Sequence, residues 1–342
     1  MSKQKRNWLT KNLLRVFFVA LTLFALWYFD EALCIKDDVG TNQTRAMYYQ
    51  PRNSVDVAML GSSHIHCDID TGLLWHDYGI ASIDYSAAEQ PLWITYHYLK
   101  ELCKYQSPKV VVLDLYSPAL RKDDYQYDWI RPNIFGLRFS LNKLQMLSVS
   151  VEKDKLFDYF PDFAYYHGRL GDLTKEDFLY PFTKREKLTN FKGFTPYFNV
   201  NSQVQPVIEQ EESGGLTLKS EIYLQKIIDY TKANDIELFL IVAPYVTNDS
   251  DELVYNRVKE IARMNEIGFN STNYDYSEMG LDFATDFNDD SHLNYWGAQK
   301  FTRYLGNELK ANYELPDRRG DSKYNSWYVN YQQMQQYASA GN

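Results

Sequence analysis

Within Lys109-Val110-Val111-Val112-Leu113-Asp114-Leu115, positions 110–113 are an unbroken aliphatic, mostly β-branched run. A strand with no polar alternate positions has to be covered on both faces, as in a parallel sheet flanked by helices. Comparable runs recur. Val55-Asp56-Val57-Ala58 leads into Met59-Leu60, and Ile80–Tyr85, Asp235–Ala243 and Ile267–Asn273 read as further strands. Between them lie stretches of helical periodicity: a short one over Asp70–Tyr78, one opened by Pro91 and running to about Tyr105, and others over Leu218–Asn234, Asp251–Asn265 and Tyr295–Asn312. Four or five strands separated by helices predict an α/β fold of the flavodoxin-like, doubly wound parallel type. In such sheets right-handed crossovers bring the loops after the strands to one edge, where ligands bind.

The chain begins with a basic segment, Met1 to residue 12, that includes Lys3, Lys5, Arg6 and Lys11. An apolar run from Val16 to Phe29 follows, seventeen positions (13–29) when counted from Leu13, and then Asp30, Glu31, Asp37 and Asp38. That length is at the short end for a membrane span, with Lys11 and Arg15 placed to reach the headgroups. The charge asymmetry puts the N-terminus in the cytoplasm and the remaining chain outside. A cleaved secretory signal is the rival reading, but no A-x-A-like site follows the run, and Glu31-Ala32-Leu33-Cys34 is a poor lipobox. The expectation is an uncleaved single-pass anchor. Residues 30–53 then read as a polar linker, 54–118 and 217–315 as the two parts of the α/β domain, and 316–342 as a polar C-terminal tail.

Between 119 and 216 the strand-helix alternation disappears. Segments such as Ser140–Val151 and Thr174–Phe178 look helical, and aromatic and charged residues are frequent. The stretch is expected to be an insertion over the active-site edge, the alternative being a small domain with its own core. His167 and Arg169 within it are candidates to hold a phosphate or a sugar hydroxyl, against the commoner structural role of a His-x-Arg pair.

The chemistry-bearing residues lie far apart in the chain. Gly61-Ser62-Ser63-His64 ends the first strand, where a serine can be thrust out of the sheet. Serine needs a base to become a nucleophile, and the base needs a group that fixes its tautomer. Asp289-Asp290-Ser291-His292 offers both, since a D-x-x-H turn lets Asp289 reach one ring nitrogen of His292 while the other faces a hydroxyl. Asp114 and Tyr116 lie at the C-terminal end of the strand that begins at Lys109 and become substrate-site candidates by topology, although Asp114 could equally cap the next turn.

At these two places the sequence resembles the SGNH/GDSL hydrolase superfamily. Leu60-Gly61-Ser62-Ser63-His64 looks like its first block, and the segment from Asp289 to Phe301 looks like its last. The order of the blocks is also the family's order. Within the superfamily the resemblance is to the membrane-anchored, envelope-polymer-modifying branch with its DltD-like and AlgJ-like members. It implies Ser63 as nucleophile, His292 as base, Asp289 as its orienter and no cofactor. It further implies a serine esterase or O-acyltransferase acting on acetyl or alanyl groups of an exported polysaccharide or teichoic acid, with a multispanning membrane acyltransferase as a possible partner. The usual GDS reads Gly61-Ser62-Ser63 here, and no clear G-x-N-D block supplies the usual asparagine. Besides the Ser63 N–H, the oxyanion candidates are therefore Ala88, in the position of the second block, and Asn133. A non-catalytic glycan-binding or scaffold protein that keeps the fold is the competing reading.

Composition narrows the partners. A net charge of −9 argues against nucleic acid, whose phosphates would be repelled. The 29 tyrosines supply rings with a polar edge, which suit sugar faces as well as cores. Three cysteines, Cys34, Cys67 and Cys103, cannot form a fully paired framework and show no zinc-ligand spacing. His64 and His66, two positions apart, are read as an incidental pair rather than metal ligands, so no metal is expected.

Overall fold

A computed structural model describes residues 3–122, 128–160 and 162–340 of the chain. They form two compact units, one made of residues 1–35 and 155–187 and the other of 36–154 and 188–342.

The second unit is built on five parallel strands: β1 (Val57–Leu60), β2 (Ser82–Asp84), β3 (Val110–Asp114), β4 (Glu237–Val242) and β5 (Gly268–Ser271), in the spatial order β2-β1-β3-β4-β5. The order reverses at β1, as in a flavodoxin-like sheet. Strands β1 and β3 are buried along their whole length, which is why their sequences do not alternate. Val57 faces Val110 and Leu60 faces Leu113, so both strands end at the same level. One face of the sheet, including Val57, Met59, Val112 and Ile241, packs on Ala298, Phe301, Leu305 and Leu309 of the Tyr295–Asn312 helix. Those positions recur every three or four residues and so line one side of that helix. The Leu92–Leu102 and Leu218–Ala233 helices pack on each other and against β1 and β4, respectively.

Residues that read as a linker and as a tail are structural parts of this unit. Thr41–Met47 is a helix in which Gln43, Thr44 and Met47 are buried. Its polar side chains can be enclosed because they are paired: the Gln43 amide donates to Asp38 O and Thr195 Oγ1, and the Thr44 hydroxyl donates to Gly40 O. At the other end, Asn325–Ser339 is a helix packed on Thr71–Tyr78. Trp327 is fully enclosed, donates its indole N–H to Ser82 O of β2 at 2.9 Å, and lies under the Lys192 ammonium. Arg318 grips Asp56, just before β1, with two hydrogen bonds of 2.7 and 2.8 Å. The stretch 119–216 does not stay together either. Residues 155–187 join the first unit, while the Ile130–Phe135 and Leu141–Ser150 helices and everything from Leu188 onward belong to the α/β unit.

The first unit contains the N-terminal helix, Lys3–Leu33. It is the one helix among the described residues long and apolar enough to cross a membrane, over Asn7–Leu33 with a mean hydropathy of 1.7. The helix outruns the expected anchor 13–29 at both ends, because Asn7, Lys11 and Asn12 before it and Asp30 and Glu31 after it are all compatible with helical geometry. Arg169 donates to the terminal carbonyls of Leu33 and Cys34 and pairs with Asp177, satisfying acceptors that a helix end leaves open.

Trp327 provides a test of the C-terminal segment. Trp327→Ala should cost about 3–5 kcal/mol, the range for emptying a buried aromatic site, with Trp327→Phe recovering most of it. The measurement is the chemical-denaturation midpoint of the full chain, and an unchanged midpoint would show that this helix contributes nothing to the fold.

Candidate active site

Gly61 leaves β1 with φ of +140°, and a Cβ there would lie 2.9 Å from Asp114 Cβ and from its carbonyl oxygen. Only glycine passes this point without strain. The next two residues divide the work. Ser62 is buried and caps the Ser63–Asp68 helix, accepting from His64 N–H and donating its hydroxyl to Asp114 Oδ2 at 3.0 Å. Ser63 opens that helix, is partly exposed, and has an N–H without an intrahelical acceptor.

Ser63 Oγ is 2.8 Å from His292 Nε2, and His292 Nδ1 is 3.0 and 3.2 Å from the two oxygens of Asp289. The geometry therefore joins two segments 229 residues apart in sequence. Asp289 is held by its own turn: Ser291 N–H and His292 N–H each donate to Oδ1 at 2.8 Å, and the Asn288 amide donates to Oδ2 at 2.7 Å. Partial burial opposes its ionisation, but these donors and His292 outweigh that and hold the carboxyl well below the usual range. The turn is closed by a bridge between Phe287 and Leu293, and Leu293 N–H donates to Asp68 Oδ1 at 3.0 Å. Asp68 ends the helix that Ser63 begins, so one carboxyl ties the histidine loop to the serine helix. Asn294 then caps the Tyr295–Asn312 helix.

The remaining sequence candidates have varied fates. Asp114 is buried, with Oδ1 accepting from Ala243 N–H at 3.1 Å and Oδ2 from Ser62. It thus braces the serine turn, and its carboxyl is not open to a substrate. Tyr116 does reach the site, its hydroxyl lying 3.4 Å from Ser291 Oγ within the Asp-x-x-His turn. Neither Ala88 nor Asn133 is available as an oxyanion donor. The Ala88 N–H is spent on Val39 O at 2.8 Å, and the Asn133 amide on Ala88 O and Trp129 O at 2.9 and 2.8 Å. Both lie buried where backbone needs satisfying, and Asn133 supports the loop after β2 from behind. Arg169 is committed to the N-terminal helix, and the side chain of His167 lies outside the described residues.

Two rings were not foreseen as site residues. His64 is fully enclosed, its ring centroid 4.4 Å from Tyr116, 5.2 Å from Tyr245 and 5.5 Å from His292, which it meets edge-on. Neither of its nitrogens has a hydrogen-bond partner among the described residues, and Asp114 Oδ2 is 3.9 Å from Nδ1. Burial, and then the neighbouring His292, push its pKa well below the ordinary value. Tyr197 packs its ring against the other side of the site, 5.9 Å from that of His292. His66 turns away from His64 and pairs with Ser86 Oγ at 2.9 Å. Burial pushes His66 down to about 3. Among the described residues no group of three or more His, Cys, Asp or Glu is placed to hold a metal ion. The adjacency of His64 to Ser63 was the available signal, but a sequence does not show which rings share an enclosure.

Chemically, the array can remove the Ser63 proton through His292 while Asp289 keeps the imidazole in the tautomer that accepts at Nε2. No known family model and no curated protein matches this chain.

Asp114 gives this site a measurable pH signature. Burial raises its carboxyl to about 6, against the opposing hydrogen bonds from Ala243 and Ser62. An unfolded aspartate titrates near about 3.9, so between those values the native state keeps a proton that the unfolded chain has lost. The stabilisation is complete below about pH 4 and drains away as pH rises through about 6. Asp114→Asn cannot titrate, so relative to the unsubstituted chain it should gain up to about 3 kcal/mol between pH 4 and 7. Denaturation at both pH values measures this, and a pH-independent difference would mean that Asp114 is ionised throughout.

Proposed function

We propose that this chain is a membrane-anchored serine esterase or O-acyltransferase of the SGNH/GDSL kind. The observation that carries the reading is the 2.8 Å approach of His292 Nε2 to Ser63 Oγ, with Asp289 at the far ring nitrogen. Ser63 attacks an acyl carbonyl as His292 takes its proton, and the Ser63 N–H donates to the developing oxyanion. His292 then protonates the leaving oxygen, and the acyl group passes from Ser63 to water or to an acceptor hydroxyl activated by the same imidazole. The resemblance to the envelope-modifying branch makes acetyl or alanyl groups on an exported polysaccharide or teichoic acid the proposed substrate, with a multispanning acyltransferase as partner in the transfer case. In this reading the N-terminal helix is the anchor, with its basic end in the cytoplasm and the α/β unit outside.

One observation favours a second reading, a glycan-binding or scaffold protein that retains the fold. The amide donors of Ala88 and Asn133 are committed elsewhere, which leaves the oxyanion with less support than such chemistry ordinarily has.

A fluorophosphonate probe separates the two readings. It should label the native protein and Ser62→Ala but not Ser63→Ala, and absence of labelling in the native protein favours the scaffold. On an activated acyl ester, alanine at Ser63, His292 or Asp289 should each lower kcat at least about a thousandfold, and double substitutions should cost little more than single ones. Additive losses would argue against a concerted array.

Sidedness has its own experiment. A periplasmic-type reporter fused after Asn342 should be active outside the cytoplasm, and the mature chain should retain Met1 or Ser2. Reporter activity in the cytoplasm overturns the orientation, and a mature chain beginning near Ile35 identifies a cleaved signal.

A further inference from the structure

Residues 155–187 carry an apolar surface with no place in the chemistry above. On the Lys175–Thr189 helix, Phe178, Leu179 and Phe182 fall at spacings of one and four and form a single stripe, all three exposed. Phe157 and Leu170 are 77% and 62% exposed. Isolated exposed apolar side chains are ordinary, but Phe178, Phe182 and Leu170 meet the N-terminal helix. Phe182 packs against Trp27 at 6.3 Å and Tyr28 at 6.0 Å between ring centroids, and the Tyr28 hydroxyl donates to Phe178 O at 3.0 Å. Leu170 faces Leu21, Ala25, Leu26, Phe29 and Leu33 across a groove of about 490 Å³ lined almost wholly by carbon.

We propose that residues 155–187 form an interfacial membrane segment, lying in the leaflet into which the C-terminal end of the N-terminal helix opens, with a phospholipid acyl chain in the groove beside Leu170. The inference rests on the anchor reading. Three features set the depth and the occupant. Trp27 and Tyr28 belong to the class of residues that concentrate at the headgroup level, and Phe182 is in contact with both. The stripe continues a surface that a spanning helix turns toward lipid, whereas a water-facing segment would leave it solvated at a cost. In sequence, Lys184, Arg185 and Lys187 follow the stripe, and basic residues beside an apolar segment suit an anionic headgroup layer. Arg169 fixes the segment to the end of the helix through Leu33 O and Cys34 O, so the two elements enter the membrane as one body.

The test uses the full chain in vesicles of phosphatidylcholine and phosphatidylglycerol that contain an alkyne-tagged phosphatidylcholine. The photoreactive residue 4-benzoylphenylalanine replaces Phe18, Leu170 or Phe182, one at a time. Phe18 lies mid-helix and is exposed, so it reports on the anchor alone. Irradiation should give lipid adducts at all three positions, with yields at Leu170 and Phe182 within about threefold of that at Phe18. Adducts at Phe18 with none at Leu170 and Phe182 overturn the interfacial segment and leave the anchor standing. No adduct at any position overturns the anchor and this inference with it. Crosslinking of the Phe182 variant to a second copy of the chain, in place of lipid, overturns the inference in favour of a protein contact.

Discussion

The carboxyl of Asp114 is where three strand ends are held together. It closes β3, receives the Ser62 hydroxyl from the turn after β1, and receives the Ala243 N–H from the end of β4. A side chain at position 61 would collide with Asp114 itself, so the tight turn that projects Ser63 exists because a glycine and a carboxyl share that space. Such a buried acid is costly unless it is hydrogen-bonded or neutral, and Asp114 uses both routes: it has its donors, and its pKa is raised to about 6. A second buried carboxyl, Asp68, repeats the device one helix further on. It accepts from Leu293 and fixes the Asp289–His292 turn relative to the helix that Ser63 begins. The serine and the histidine are thus aligned through backbone groups clamped by acids.

How much of this was legible in the sequence follows from what each signal reports. The buried strands were visible because a strand covered on both faces needs an unbroken apolar run, and Val110 to Leu113 and Leu238 to Val242 supply one. The Ser63, His292 and Asp289 array was visible because serine chemistry needs a base and an orienter, and the turn spacing allows the last two to meet. The packed segments 41–47 and 325–339 were hidden. Their burial depends on side-chain pairing, such as Gln43 with Thr195 and Trp327 with Ser82 O, between residues more than 150 positions apart. Polar composition there reads as solvated chain. The aromatic stretch 119–216 misled for a related reason: its periodicity is interrupted throughout, so nothing in it marks where residues 155–187 leave one unit for the other.

The fates of Ala88 and Asn133 show the limit of reasoning by block position. A residue type in the right order can be spoken for by its neighbours. Ala88 N–H and the Asn133 amide complete the hydrogen bonding of the loop after β2, and an amide proton already donated to a buried carbonyl cannot turn to an oxyanion without leaving that carbonyl bare. The same accounting separates the adjacent serines. Ser62 has its hydroxyl proton on Asp114, while the Ser63 hydroxyl meets an imidazole nitrogen.

His64 sharpens the electrostatic argument. In the proposed acyl transfer His292 becomes an imidazolium as Ser63 attacks, and a second cation whose ring centre is 5.5 Å away would oppose that step. Enclosure between Tyr116 and Tyr245 keeps His64 neutral, because an unpaired charge there would have no solvent and no hydrogen-bond acceptor. The ring therefore fills the space behind His292 with an aromatic edge that bears no charge. A lysine or arginine at position 64 would place a permanent cation in that space, and a small residue would open it to water. A buried neutral imidazole after Ser63 in the chain preserves the packing of the base and adds no positive charge beside it, while Asp289 faces its other ring nitrogen.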